Sequence, residues 1–269
     1  MSQEIDSKEF YPMTRNVMFH GVFTRNKVAL SGLVRSVLHL REEDVKDIIL
    51  LSSTEPPKNS DGKTFILDVK VQLQNGTTIN LEMQTNHDDN WANRSLSYLC
   101  RNYDSLNRGE KYDTVTPTIH IGFLGFTLFN DLNKFHSTYK LCDIEDLHVY
   151  SDNFILEVVQ LKQSELASEE DKKYGIDRWA RLFLATSREE LYMIAENDTS
   201  MKEAAKTAIL MNNDWEVREN ILRSEIAEAD IKRMKQTIEE QKSALSEKDV
   251  IISKKDAEIE RLNALLKNR

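Results

Sequence analysis

Between residues 65 and 84, apolar side chains take every second position on both sides of Asn75-Gly76: Phe65, Leu67, Val69, Val71 and Leu73, then Ile79, Leu81 and Met83. Strict alternation predicts two half-buried strands, and Asn-Gly between them predicts a hairpin. Two turn lengths compete. A two-residue loop pairs Leu73 with Thr78 and sets Val69 against Glu82, which mixes apolar and polar residues on one face. A three-residue loop, Gln74-Asn75-Gly76 with Gly76 left-handed, pairs Leu73 with Thr77, Val71 with Ile79, Val69 with Leu81 and Leu67 with Met83. A slip of one residue would turn one strand's apolar set to the wrong side, so the second register is expected. It places Asp68 opposite Glu82, with Gln84 two residues on along the same face.

The rest of the chain alternates between helical and extended patterns. Residues 15 to 40 carry Met18, Phe19, Val22, Phe23, Leu30, Leu33, Val34 and Val37 at helical spacing, as one or two helices with a break near 24 to 27. Glu42-Glu43-Asp44 reads as a helix start or solvated turn. Asp47 to Ser53 reads as a short buried strand, and Glu55 as an exposed carboxylate leading into a loop through Pro56-Pro57 and Asp61-Gly62. Trp91 to about Arg108 predicts a helix, with Asp88, Asp89 or Asn90 as its cap and Gly109 at its end. Arg94 and Tyr98, four apart, share a face of it. Thr116 to Phe129 is the strongest apolar strand, buried on both faces at its centre. His120 within it reads as a core histidine with a satisfied hydrogen bond rather than as a ligand. Weaker strands are expected over Ser137–Leu141 and Phe154–Leu161. Strands interleaved with helices predict a mixed α/β sheet.

Beyond Leu161 every pattern is helical. Stripes near 174–186, 188–196 and 200–212 suggest a small bundle on or beside the sheet, and Trp215 opens a long charged helix. Ile231, Ile238, Leu245, Ile252, Ile259 and Leu266 recur every seven residues, one seam of a heptad repeat. The companion positions Met234, Gln241, Lys248, Lys255, Leu262 and Arg269 are polar through the middle. A weak coiled coil is expected, and a homodimer through it. The alternative is a single charged helix held by ion pairs. The chain thus divides into a core over 1–165, a helical extension over 166–215 and a charged helix over 216–269.

Composition narrows the setting. The net charge of −9, from 36 basic and 45 acidic residues, argues against nucleic-acid binding by bulk field but leaves room for a local basic groove. Cys100 and Cys142 lack metal-ligand or redox spacing, so a reducing, cytoplasmic setting is expected. The first residues lack the pattern of a signal peptide, and no apolar run is long enough to span a bilayer.

Directly opposed carboxylates destabilise a sheet unless a cation joins them or one takes a proton. Asp68 and Glu82 therefore suit a divalent metal with hard oxygen ligands, such as Mg²⁺. The plain alternative is a solvated polar face whose charge Lys70 offsets.

Asp68 followed by Glu82-Met83-Gln84 resembles the D…ExQ variant of the PD-(D/E)XK nuclease motif. The wider series of Gly76, Leu81-Glu82-Met83-Gln84, Arg94, Tyr98, Tyr103, Gly109, Tyr112 and Pro117 resembles the PD-(D/E)XK family of transposases, the recombination-promoting nucleases. The resemblance covers roughly residues 14 to 220 and is densest between 61 and 130. It implies a restriction-endonuclease-like mixed sheet flanked by helices, and metal-dependent cleavage of DNA. In that reading Asp68, Glu82 and the main-chain carbonyl of Met83 hold Mg²⁺ or Mn²⁺. Gln84, where the commoner motif has lysine, orients the attacking water. Arg94 contacts a phosphate or holds Glu82, and Tyr98 positions. Asn16 stands where an acid is expected near the start, which leaves a third protein ligand open. The rival reading is a catalytically idle DNA-binding or assembly protein that keeps the fold and oligomerises through its last helix.

Overall fold

The computed structural model describes residues 10–45, 47–55, 65–66, 68–104 and 111–267. Residues up to Arg218 form one compact unit and those from Glu219 a second. The first unit opens with α1 (Asn16–Arg25) and α2 (Lys27–Val37), separated at Asn26, whose side chain accepts from the Ala29 N–H and caps α2. A short 3₁₀ turn over Glu42–Asp44 is exposed and closed by Arg41 on Asp44, as a solvated turn would be. Next come β1 (Ile48–Leu50), β2 (Thr54–Glu55), β3 (Phe65–Ile66), β4 (Val69–Leu73), β5 (Thr78–Gln84) and α3 (Trp91–Tyr103). Then follow β6 (Thr118–Leu124), β7 (His136–Cys142) and β8 (Val149–Gln160). The helices α4 (Glu169–Tyr174), α5 (Ile176–Leu184), α6 (Arg188–Ala195), α7 (Thr199–Asn213) and α8 (Trp215–Lys267) complete the chain.

Six strands form one mixed sheet in the order β1-β4-β5-β6-β8-β7, and β2 pairs with β3 separately. The hairpin β4–β5 takes the register expected from its apolar positions: Val69 faces Leu81 and Val71 faces Ile79. The Leu73 N–H donates to the Thr77 carbonyl, and Gly76 has φ +86°, the left-handed position that a three-residue turn requires. β5 then runs parallel to β6, and β6 parallel to β8, while the edge strands β1 and β7 are antiparallel to their neighbours.

Residue parity along β6 separates two cores. Phe123 meets Phe19 of α1 and Phe183 of α5 at ring-centroid distances of 5.7 and 5.2 Å, and Phe23 meets Trp179 at 5.9 Å. Each buried aromatic contributes roughly 1.5–3 kcal/mol over exposure. On the other face α3 lies against the sheet through Trp91, which packs with Leu124 and Val158. Gly122 permits this close approach, because a Cβ there would lie 2.2 Å from a Trp91 ring carbon.

Several sequence expectations need correction. The first hairpin strand is not continuous: Phe65–Ile66 joins the separate ribbon, Asp68 is a bend, and the main-sheet strand starts at Val69. Glu55 lies in β2 rather than in a loop, and Leu67 and Gly109 lie outside the described residues. The strand expected over 47–53 shrinks to three residues with Ile49 outward, because it is a sheet edge with one solvated side. The helix expected to reach Arg108 is described only to Tyr103, and Asn90 occupies its cap position without a side-chain bond.

The helical extension packs against α1 and α2 within the same compact unit, including the short α4, which the apolar stripes did not reveal. In the second unit α8 exposes Ile231, Ile238, Leu245, Ile252 and Ile259 along one heptad seam. No helix among the described residues is long and apolar enough to cross a membrane.

Candidate active site

The hairpin, β6 and α3 place their polar groups at one point on the α3 face. Asp68, just before β4, turns its carboxylate to accept a 2.7 Å hydrogen bond from the Met83 N–H. Glu82 projects from β5 beneath α3. Arg94, on the first turns of α3, donates through one terminal nitrogen to Glu82 Oε1 at 2.8 Å and to Gln84 Oε1 at 2.7 Å. Its other terminal nitrogen pairs with Asp88 Oδ2 at 2.8 Å. The Gln84 amide nitrogen donates to the Asn86 carbonyl at 2.7 Å. One guanidinium therefore joins two strand residues to the loop that precedes its own helix.

Tyr98 lies one turn beyond Arg94. Its hydroxyl pKa is raised by burial and by the charge of Glu82, against the opposing effect of Arg94, and Asp68 and Asp88 add to the rise. The Asp68 carboxyl is pushed up to about 7, chiefly by burial and further by Glu82. The Met83 N–H and Arg94 pull the other way without prevailing. All five side chains singled out in the sequence, Asp68, Glu82, Gln84, Arg94 and Tyr98, thus share one electrostatic environment. Asn16, by contrast, is exposed at the first residue of α1.

Three residues join the site that the sequence pattern did not assign to it. His120 is fully buried, as a core histidine would be, yet its Nε2 lies 3.2 Å from Glu82 Oε2. Its Nδ1 is 2.8 Å from the Asn80 amide nitrogen. With Asn80 donating to Nδ1, the ring proton sits on Nε2, which is 3.2 Å from the acid without the geometry of a hydrogen bond. Asp88, read from sequence only as a cap, holds Arg94. The usable signal is parity: β5 and β6 pair in register, Asn80 with His120, so even-numbered residues of both strands share the α3 face. That pairing joins residues forty apart, and nothing local encodes it.

Glu82 Oε2 and Asn80 Oδ1 are buried acceptor oxygens without a hydrogen-bond partner among the described residues. Buried polar groups left unmatched in this way call for water or an ion. Two neighbouring carboxyls, one of them held protonated up to about pH 7, have the hard oxygen donors that Mg²⁺ or Mn²⁺ prefers. The donor set fits such an ion.

A family model described as PD-(D/E)XK nuclease family transposase matches residues 16–238. Neither the curated proteins nor the solved structures contain a significant match to the chain. The six-stranded mixed sheet flanked by helices is consistent with a restriction-endonuclease-like fold, and the matched span includes every element of the first compact unit. The chain belongs to the PD-(D/E)XK nuclease family transposases, a nuclease-like family tied to recombination and mobile elements.

Proposed function

We propose that the protein is a divalent-metal-dependent DNA endonuclease that hydrolyses phosphodiester bonds in recombination or mobile-element transactions. The observation that carries this reading is the Arg94 bridge from Glu82 to Gln84, set beside Asp68 on the Met83 N–H. Mg²⁺ or Mn²⁺, held by Asp68, Glu82 and the Met83 carbonyl, would supply polarisation of the scissile phosphate and a more acidic bound water.

The chain's own groups divide the remaining work. Asp68 must shed its proton before it can serve as a ligand. Glu82 is held in place by Arg94 on one oxygen and faces His120 with the other. Gln84 carries neither charge nor basicity, but its carbonyl oxygen has a second lone pair, beyond the one Arg94 uses, to accept a water hydrogen and aim the water's oxygen. Arg94 can shift hydrogen bonds toward a phosphate as negative charge develops there, as preorganised donors do.

Self-association through α8 belongs to the same proposal, because the exposed heptad seam needs a partner and a second copy would present two sites to a duplex. A monomer by light scattering at tens of micromolar would count against it.

One observation favours the rival reading. Arg94 already neutralises Glu82 from within the chain, an arrangement that an idle DNA-binding or assembly protein would also keep. Plasmid cleavage with Mg²⁺, Mn²⁺ or EDTA, comparing wild type with Glu82→Ala, separates the two. Metal-dependent nicking lost in the variant supports the endonuclease. Equal nicking in both points to a contaminant, and none with any metal supports the rival.

A further inference from the structure

The sheet face opposite the acidic site carries a second cluster that the nuclease reading does not use. His39 follows the end of α2, His136 opens the edge strand β7, and Asp171 lies in α4. His39 Nε2 is 3.5 Å from Asp171 Oδ1, and His136 Nδ1 is 2.9 Å from that same oxygen. One ligand atom from each of the three lies within 4.8 Å of the others. Bonds of roughly 2.0–2.1 Å to a tetrahedral zinc ion put neighbouring ligand atoms about 3.3 Å apart.

We propose that His39, His136 and Asp171 form a second metal site, built for a Zn²⁺-class ion and chemically distinct from the hairpin acids.

The surroundings of the two imidazoles support this assignment. His136 turns its other nitrogen, Nε2, to Glu157 Oε2 at 3.0 Å, and Glu157 is fixed by a 2.8 Å bond from the Thr138 hydroxyl. His39 turns Nδ1 toward Glu170 Oε1 at 3.7 Å. His136 thus has a hydrogen-bonded carboxylate behind it, which is how metal-bound histidines are oriented and made more basic, while Glu170 lies near His39 without a hydrogen bond. Asp171 is divided in the same sense. Its Oδ2 accepts from the Ser168 N–H and hydroxyl, closing the cap of α4, which directs Oδ1 to the histidines.

Two features are costly without such a role. His39 Nε2 is buried with no hydrogen-bond partner among the described residues. His39 also has φ +51° at the position after the α2 C-cap, where the Leu40 N–H reaches back to the Arg35 carbonyl at 2.9 Å. Glycine is the usual residue in that motif. Histidine there brings a ring that stacks on Tyr174 at 4.7 Å and aims Nε2 at the cluster. An adjoining cavity of about 360 Å³, bordered by His39, His136, Thr138 and Glu157, leaves room for a solvent molecule as fourth ligand.

Two imidazoles and one carboxylate select Zn²⁺, Co²⁺ or Ni²⁺ over Mg²⁺, which prefers an all-oxygen shell. Binding would replace the proton between His136 and Asp171 and would tie the α2 terminus, the sheet edge and α4 together.

The test uses the untagged full chain, stripped with EDTA and dialysed. It is made in an Asp68→Asn/Glu82→Gln background, so that the hairpin acids contribute nothing. Zn²⁺ is titrated against a chromophoric chelator at neutral pH, and Co²⁺ is followed by visible absorption. The expected result is one equivalent of Zn²⁺ and the intense visible bands of four-coordinate Co²⁺. His39→Gly, which suits the left-handed backbone and so spares the fold, should weaken Zn²⁺ at least tenfold, and His136→Gln likewise. No binding in the background variant, or unchanged affinity in both histidine variants, overturns the site. Because the hairpin acids are already removed, neither outcome bears on the nuclease reading.

Discussion

His120 Nε2 sits 3.2 Å from Glu82 Oε2, and both side chains are buried. With Asn80 behind the ring, the three form a file that fixes the acid from below while Arg94 holds it from above. His120→Leu would strip the Asn80 amide of its hydrogen-bond partner and Glu82 Oε2 of its polar neighbour, at a cost of roughly 1–3 kcal/mol. Urea unfolding should register that loss, and plasmid nicking should fall at least tenfold. Wild-type nicking in a folded variant would make the file structural only.

Arg94→Lys keeps the charge but not the fork. A single ammonium cannot serve Glu82, Gln84 and Asp88 with the spacing that two guanidinium nitrogens provide. Cleavage should drop by an order of magnitude or more while the circular dichroism spectrum stays unchanged. Full activity in the lysine variant would show that charge alone suffices.

Asp68 makes a pH prediction. Its carboxyl is 3.8 when unperturbed and about 7 when folded, so between those values the folded state holds the proton that the unfolded state has lost. Its stabilising contribution is complete below 3.8 and is lost as the pH rises to about 7. At about 1.4 kcal/mol per pH unit the effect is capped at roughly 4 kcal/mol, before solvent screening reduces it. Asp68→Asn can still accept from the Met83 N–H and carries no charge. In EDTA its Tm advantage over wild type should grow from pH 4 to pH 7 and then level off. A constant difference across that range would mean that Asp68 titrates normally.

Gly122→Ala tests the seat of α3. The added methyl would collide with the Trp91 ring at 2.2 Å, and overpacking of this kind costs about 1–3 kcal/mol. Trp91 and Arg94 share the first turn of α3, so displacing one moves the other. Reduced Tm together with reduced cleavage is expected. Lower Tm with normal cleavage would uncouple the helix seat from the site.

The seam of α8 predicts a change of oligomeric state. Leu245→Lys with Ile252→Lys replaces two of its exposed apolar residues by charges. Sedimentation should shift from dimer to monomer, with cleavage of a short duplex retained in part. A wild type that sediments as a monomer would remove the role of the seam.

The hairpin was legible because its evidence is local: alternation, one Asn-Gly and a glycine able to take positive φ. The pairing of Asp68 with Glu82 followed from that register, whereas the role of Arg94 came from the family resemblance, helix spacing giving only that it shares a face with Tyr98. What stayed hidden depends on strand partners far apart in sequence. His120 looked like core because it is core, and only the parallel pairing of β5 with β6 shows that its second neighbour is an acid. Likewise His39, His136 and Asp171 come from a helix end, an edge strand and a short helix, with no common motif. The interruption at Asp68 was missed because apolar alternation continues through it, although the ladder does not.

The three-residue turn at Gln74-Asn75-Gly76 has a consequence for how this protein can vary. Gln74 is exposed, whereas Asn75 accepts from the Thr77 N–H at 3.0 Å and Gly76 supplies the positive φ, so the turn fixes how the strands pair. A slip of one residue in that pairing would send Asp68 and Glu82 to opposite sides of the sheet with every side chain still present in the chain. The turn works as a parity check: it holds a register whose slip by one residue would erase the site without touching any of its residues.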